Sequence, residues 1–218
     1  MNKKYIIAVD GPAASGKGTI SKRIADYHSF YYLDTGLLYR AVAYNLIKGN
    51  IDIDNIDACK EAVKEIDLSL LEYNNPKLRE EKIGNITSRI ASIMIVRKIL
   101  LDHQRNFAKN LRQNYKGIVM DGRDIGTVVM PLADLKFYIT ASTEVRAFRR
   151  NNQLNQNDNS STYANVLKDL KNRDKRDIER KASPLLPAKD AIIIDTSKMN
   201  IDEVFNLVNE NITIRLNL

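Results

Sequence analysis

The 218-residue chain is 44% hydrophobic and 28% charged, enough apolar material for one well-cored domain and too much for a disordered protein. Its longest apolar runs, YIIAV and AIII, are far too short to span a bilayer and no signal-peptide pattern opens the chain, so a cytoplasmic protein without membrane contact is expected. One cysteine, Cys59, excludes an internal disulfide framework; two histidines, His28 and His103, leave no Cys/His metal cluster; and a net charge of +7 favours polyanionic partners without separating nucleic acid from small phosphorylated molecules.

In chain order, KYIIAVD (4–10) reads as a short buried strand, DGPAASGKGT (10–19) as a glycine-rich turn, and KGTISKRIADYH (17–28) as a helix with apolar residues at helical spacing. Helices are then predicted over LLYRAVAYNLIK (37–48), VRKILLDHQRNFAKNL (96–111), STEVRAFRRNNQ (142–153) and TYANVLKDLKNRDKRDIERKA (162–182). Strands are predicted at GIVMD (117–121), LKFYIT (135–140) and AIIIDT (191–196). Short apolar runs separated by helix-length segments predict an α/β fold with a central parallel sheet flanked by helices. Two stretches interrupt the alternation. Residues 67–84, DLSLLEYNNPKLREEKIG, carry the turn signal NNP and read as an insertion outside the sheet, whereas NNQLNQNDNS (151–160) is polar and reads either as a solvated loop or as a lid.

The stretch from Asp10 to Thr19 departs from the usual phosphate-binding loop at one position. Gly11, Gly16 and Lys17 have the spacing in which backbone N–H groups wrap a phosphate at a helix N-terminus while the lysine reaches its outer oxygens. The Ser or Thr that ordinarily follows the lysine is replaced by Gly18, and Thr19 comes one residue late. This removes a direct Mg²⁺ ligand, but Mg²⁺ retains several waters and is readily held through them and through substrate phosphates. Five arginines, Arg40, Arg123, Arg173, Arg176 and Arg180, lie in or beside glycine-containing loops or on one late helix, where Arg173, Asp177 and Arg180 share a face at i, i+4, i+7. Read alone, that face is a solvated salt-bridged surface; beside a phosphate loop it suits phosphoryl transfer, which depends on positioning and charge neutralisation.

The loop taken together with YLDTGLLYRAVA (32–43), SRIASIMIVRKILLDHQR (88–105), DGRDIGTVVMP (121–131) and NRDKRDIERKASPLLPAKDA (172–191) resembles the bacterial cytidylate kinases, in the same order and across nearly the whole chain. The resemblance implies a three-layer phosphate-loop fold in one nucleoside monophosphate kinase domain, 1–218. Its expected parts are a core (1–34, 116–145 and 185–218), an acceptor-binding region (35–115, with the insertion at about 67–84) and a lid (about 146–180). It implies ATP binding by Gly11, Pro12, Ala13, Ala14, Ser15, Gly16, Lys17, Gly18, Thr19 and Arg149, and catalysis by Lys17, Arg123, Arg173 and Arg180. CMP or dCMP is expected at Thr35, Tyr39, Arg40, Ser88, Arg97, Arg123, Asp124, Arg173 and Asp177, with Mg²⁺ as cofactor and no direct protein ligand. Tyr39 reads equally well as a core residue. Arg146 and Arg150 join Arg149 as candidates for closing over the ATP phosphates, or form an ordinary basic face. Asp34 and Asp121 are candidates for holding the metal's water shell.

An ionised Asp124 would accept a hydrogen bond from the exocyclic amine of cytosine and repel the carbonyl of uracil, which predicts CMP over UMP. The family's insertion, which usually contains a small β-sheet, is abridged here. Two other functions fit parts of the pattern: a kinase for UMP, AMP or shikimate on the same core, and a basic RNA-binding protein. The second has neither an RNA-binding motif nor interleaved aromatic residues behind it. A monomer without nucleic-acid partners is expected.

Overall fold

The computed structural model describes residues 4–66, 75–155 and 162–218, excluding the side chains of 81 and 111–113. Its chain divides into two compact units, one made of Met1–Leu33 with Leu111–Leu218, the other of Asp34–Asn110.

In the first unit the apolar run Tyr5–Asp10 forms β1, and β2 (Tyr31–Asp34), β3 (Gly117–Gly122), β4 (Leu135–Thr140) and β5 (Ile192–Asp195) complete a five-stranded sheet in the order β2-β3-β1-β4-β5. All strands run parallel, which suits near-continuous Ile/Val/Leu runs covered on both faces. From β1 the chain moves first to one side of the sheet and then to the other, so the carboxyl end of β1 is a topological switch point, where such sheets bind ligands. The register places Asp10 beside Gly122 on one side and Tyr138 on the other. Helices α1 (Lys17–His28), α7 (Thr143–Asn155), α8 (Tyr163–Glu179) and α9 (Ile201–Leu216) belong to this unit. Its core joins Ile7 and Val9 of β1, Phe137 and Ile139 of β4, Ile20 and Ile24 of α1, and Val208 and Ile212 of α9. Helix α9 begins at a capping box in which Asn200 accepts from the Glu203 amide and the Glu203 carboxylate accepts from the Asn200 amide.

The second unit is built from α2 (Gly36–Lys48), α3 (Ile56–Lys64), α4 (Pro76–Arg79), α5 (Glu81–Ile90) and most of α6 (Met94–Asn114). Leu38, Val42 and Leu46 of α2 pack with Cys59 and Val63 of α3, Ile83 and Ile90 of α5, and Val96 and Leu100 of α6. Cys59 is fully buried in this cluster, with its Sγ 3.3 Å from the Ile53 carbonyl.

The structure adds elements that the sequence reading did not assign and corrects it at residues 151–155. The tetrapeptide YYLD is strand β2, although its tyrosines are only half-buried and give no continuous apolar run. Residues 67–74 lie outside the described residues, but the rest of the expected insertion is helical: Pro76 opens α4, the Asn75 side chain accepts from the Lys77 amide, and Leu78 is buried. The polar run that follows starts the amphipathic α5. Helix α7 continues to Asn155, with Leu154 packed beside Val166 and Leu170, so the first half of the expected loop is helix; 156–161 lie outside the described residues.

Replacing Phe137, 1% exposed and central to the first core, by alanine is expected to cost about 3–5 kcal/mol through lost burial and a residual cavity. Urea denaturation with an unchanged slope checks this.

Candidate active site

The phosphate loop turns between β1 and α1 on two glycines, one closed to a side chain by its neighbours and the other by its backbone conformation. A Cβ on Gly11 would lie 2.0 Å from the Ile139 carbonyl oxygen of β4, and Gly16, the N-cap of α1, has φ 87°. Ala14 also adopts the left-handed region, at φ 59°. Gly16 brings no side chain to the start of α1, leaving the first-turn amides to a ligand. The Lys17 ammonium folds back to the Pro12 carbonyl at 3.3 Å. The absence of a hydroxyl after the lysine has a steric counterpart: a Cβ on Gly18 would start 3.2 Å from Asp121 Oδ2 and 3.3 Å from the Tyr32 hydroxyl.

Arg146 is buried and braces this loop. Its guanidinium donates to the carbonyls of Ala13 (3.1 Å) and Ala141 (2.9 Å), to Thr143 Oγ1 (2.8 Å) and, through both terminal nitrogens, to Asp174 of α8 (3.1 and 2.6 Å). Here the fork geometry of Arg serves the fold of the loop. Arg149 donates to Thr196 Oγ1 (2.9 Å) and to the carbonyls of Thr196 (2.7 Å) and Met199 (3.3 Å). Thr196 Oγ1 in turn lies 3.4 Å from the Ser15 carbonyl. Arg150 is half-buried on the same helix.

At the carboxyl end of β3, Arg123 and Asp124 precede a π-helical turn, Ile125–Val129. Asp10 fixes that turn: its Oδ1 accepts from the Ile125 amide at 2.8 Å and its Oδ2 from the Gly126 amide at 2.7 Å. Burial pushes the Asp10 carboxyl up to about 6 despite these donors, with the Asp124 charge adding to the rise and Arg123 opposing it. Arg123 Nε donates to Asp177 Oδ2 at 3.0 Å; Arg180 lies 3.8 Å from Asp124 and 3.9 Å from Asp177. Burial pushes Asp177 up, but Arg123, Arg173 and Arg180 together outweigh it and hold the carboxyl below its ordinary value. The expected single helix face is modified at its end. Helix α8 stops at Glu179, and Arg180 is extended at φ −61°, ψ 136°, with its Nε donating to the Ser183 carbonyl at 2.6 Å. The chain doubles back so that the Leu185 amide reaches the Asp177 carbonyl, in a segment whose prolines, Pro184 and Pro187, cannot continue a helix.

Within the second unit, Thr35 is the buried N-cap of α2. Asp34 accepts from the Gly36 amide (3.0 Å) and pairs with Arg79 (2.9 Å), so its carboxylate orders the entry to α2. Arg40 donates to the Leu78 carbonyl at 2.7 Å, and a Cβ on Gly84 would come within 3.6 Å of its guanidinium. Tyr39 and Arg97 come together, the guanidinium 5.6 Å from the ring centroid, while Arg97 also donates to the Ala91 carbonyl at 3.1 Å. Ser88 is 5% exposed and its buried Oγ has no hydrogen-bond partner, an arrangement that suits a polar ligand.

Sequence reasoning missed Asp10, Arg79 and Asp174. Asp10 stood in the loop stretch without a role because its partners are backbone amides over a hundred residues away. Asp174 lies three residues before Asp177, a like-charge spacing that carries no signal of separate partners.

Removing the Asp177 charge takes away the carboxylate that Arg123, Arg173 and Arg180 share, so Asp177→Asn is expected to destabilise the protein by roughly 3–5 kcal/mol at neutral pH. Because the folded carboxyl titrates below its ordinary value, this stabilisation is present above about pH 4 and is lost as pH falls through the folded pKa. Denaturation midpoints of the two proteins should therefore converge in acid.

Residues 7–214 match the sequence model of the cytidylate kinase family. A cytidylate kinase from Caulobacter sp. is 47% identical over 93% of this chain and 91% of its own length, and one from Bartonella tribocorum is 46% identical over 93% and 92%. Among solved structures, an uncharacterized protein from Eubacterium ventriosum, 15% identical over 97% of this chain and 99% of its own, superposes with a TM-score of 0.57 and shares the fold. With a family match across nearly its full length and this density of identity, the chain belongs to the cytidylate kinases.

Proposed function

We propose that the chain transfers the γ-phosphoryl group of ATP to CMP, and to dCMP, giving ADP with CDP or dCDP. The observation that carries this reading is the set of buried Asp124, Asp177 and Arg180 with the half-buried Arg123 at the carboxyl edge of the sheet, in a chain whose residues 7–214 match the cytidylate kinase family. Phosphoryl transfer needs positioning and compensation of phosphate charge more than covalent help. The amides of residues 13–19 and the Lys17 ammonium supply donors and positive charge for the β- and γ-phosphates. Arg123, Arg173 and Arg180 balance the charge on the acceptor and on the group in flight, while Asp177 keeps the guanidinium groups oriented and contributes a contact to the acceptor.

Thr35, Tyr39, Arg40, Ser88 and Arg97 complete the proposed CMP contacts, with Arg40 on the phosphate and the buried Ser88 hydroxyl on the base. Asp124 accepts from the cytosine amine. Arg149 is the proposed contact to ATP beyond the loop.

The residues also fit a hydrated Mg²⁺. Asp121, buried at the end of β3, directs Oδ2 toward the space beside Gly18, and a carboxylate that holds metal-bound water suits an ion that sheds its shell reluctantly. When bound, the ion supplies positive charge to the donor phosphates. A monomer acting in the cytoplasm completes the proposal, with sedimentation velocity as the test of its oligomeric state.

ADP formation from ATP and Mg²⁺ with CMP, dCMP, UMP or AMP as acceptor tests the reaction: stimulation by CMP and dCMP is expected, and equal stimulation by AMP would overturn it. Asp124→Ala should lower the CMP-to-UMP ratio of kcat/KM about ten-fold, the equivalent of a lost charge-assisted hydrogen bond. An unchanged ratio would remove Asp124 from base recognition.

A further inference from the structure

We infer that Asp10 is a positioning residue for acceptor recognition: its carboxylate fixes the backbone turn that aims Asp124 and Arg123. The inference rests on the proposed roles of those two residues.

Asp10 ends the central strand, immediately before Gly11 of the phosphate loop, and is 3% exposed. Both of its oxygens are used by the same target, Oδ1 by the Ile125 amide at 2.8 Å and Oδ2 by the Gly126 amide at 2.7 Å. These are the two peptide N–H groups directly after Asp124. On the other side of that peptide unit, the Asp124 carbonyl accepts from Val128 (2.9 Å) and Val129 (3.0 Å). The Asp124 backbone is thereby held from both directions, which specifies where its carboxylate points. A charged acceptor on two amides is among the strongest hydrogen-bonding arrangements available to a buried turn.

Gly126 leaves room beside this contact. A side chain there would begin 3.4 Å from Asp10 Oδ2 and 3.1 Å from the Lys136 Cδ. Asp10 thus spans the strand that carries the donor loop and the turn that carries the acceptor-reading pair. No other described residue hydrogen-bonds the Ile125 and Gly126 amides. An amide in place of the carboxylate would keep one acceptor and turn a donor toward the second N–H, forcing the turn to shift.

A remote carboxylate provides the control. Asp134 Oδ2 accepts from the Ile6 amide at 2.9 Å, the same kind of bond to the same strand at its opposite end. Asp10→Asn, Asp10→Ser and Asp134→Asn would be compared with the unmodified protein for urea stability, for KM toward CMP, UMP and ATP, and for CMP affinity by calorimetry. The expected result is a rise of roughly ten-fold in KM for CMP and a fall of about five-fold or more in the CMP-to-UMP ratio for Asp10→Asn, because a sub-ångström misplacement of a reading group is costly. The KM for ATP should move by less than about two-fold, and Asp10→Ser should fall between the two. Asp134→Asn should lose stability with the ratio unchanged.

An unchanged ratio in Asp10→Asn, or a similar change in Asp134→Asn, would overturn the inference. So would loss of cooperative unfolding in both Asp10 variants, which would make the residue's role one of folding. If Asp124→Ala alters the ratio and Asp10→Asn does not, base recognition by Asp124 survives and only this inference fails. If Asp124→Ala leaves the ratio unaltered, the underlying reading fails instead.

Discussion

A carboxylate removed from water must be met by donors or by positive charge, and this requirement organises the carboxyl edge of the sheet. Asp10 is met by two backbone amides, Asp177 by Arg123 with Arg180 close by, and Asp174 by the fork of Arg146. Each solution ties together segments distant in sequence: β1 to the turn after β3, that turn to α8, and α8 to the phosphate loop through Arg146. The parallel register brings the carboxyl ends of β1, β3 and β4 side by side, and the buried acids then determine which connecting segments can occupy that edge. Fold and site are here one set of electrostatic obligations, and for this reason few of the charges can be changed singly without consequences for both.

The arginines divide by what they face. Arg149 directs its guanidinium to one hydroxyl and two carbonyls, whereas Arg146 is shared among two carbonyls, a hydroxyl and the Asp174 carboxylate. Arg123 and Arg180 face Asp177 and Asp124 and each gives one further bond to a carbonyl, so they remain oriented beside the acids. A net charge of +7 is thus a poor guide to partners. The informative quantity is what each guanidinium already meets inside the protein. The second unit repeats the division, with Arg79 on Asp34 and Arg97 shared between the Tyr39 ring and the Ala91 carbonyl.

Much of this was legible in the sequence where backbone geometry or continuous burial leaves little choice. Gly11 and Gly16 announce a loop that needs close approach at one position and a left-handed backbone at the other, and β1, β3 and β4 are apolar runs because both faces of a central strand are covered. Strand β2 was hidden by its half-buried tyrosines, and α5 by the polar residues between Ile83 and Ile90, whose helical spacing was nonetheless present. Arg123, Asp124 and Asp177 could be nominated by spacing and resemblance. Their mutual contacts could not, because they depend on where α8 ends and on the return of the chain at Leu185. Asp10 was least legible of all: its partners are amides, which every residue but proline possesses, so the sequence carries no mark of them.

Arg146 and Thr196 have a consequence for the order in which the protein can be built. The phosphate-loop motif is complete at residue 19, yet the carbonyls of Ala13 and Ser15 meet side chains at 146 and 196, and β1 pairs on both sides with strands made after residue 116. During synthesis the first-made strand therefore waits for its second strand neighbour until Thr140 is made, and its loop waits for Thr196 until about nine-tenths of the chain is made. A nascent chain halted before β5 would display the complete glycine-rich loop and lack part of the scaffold that shapes it.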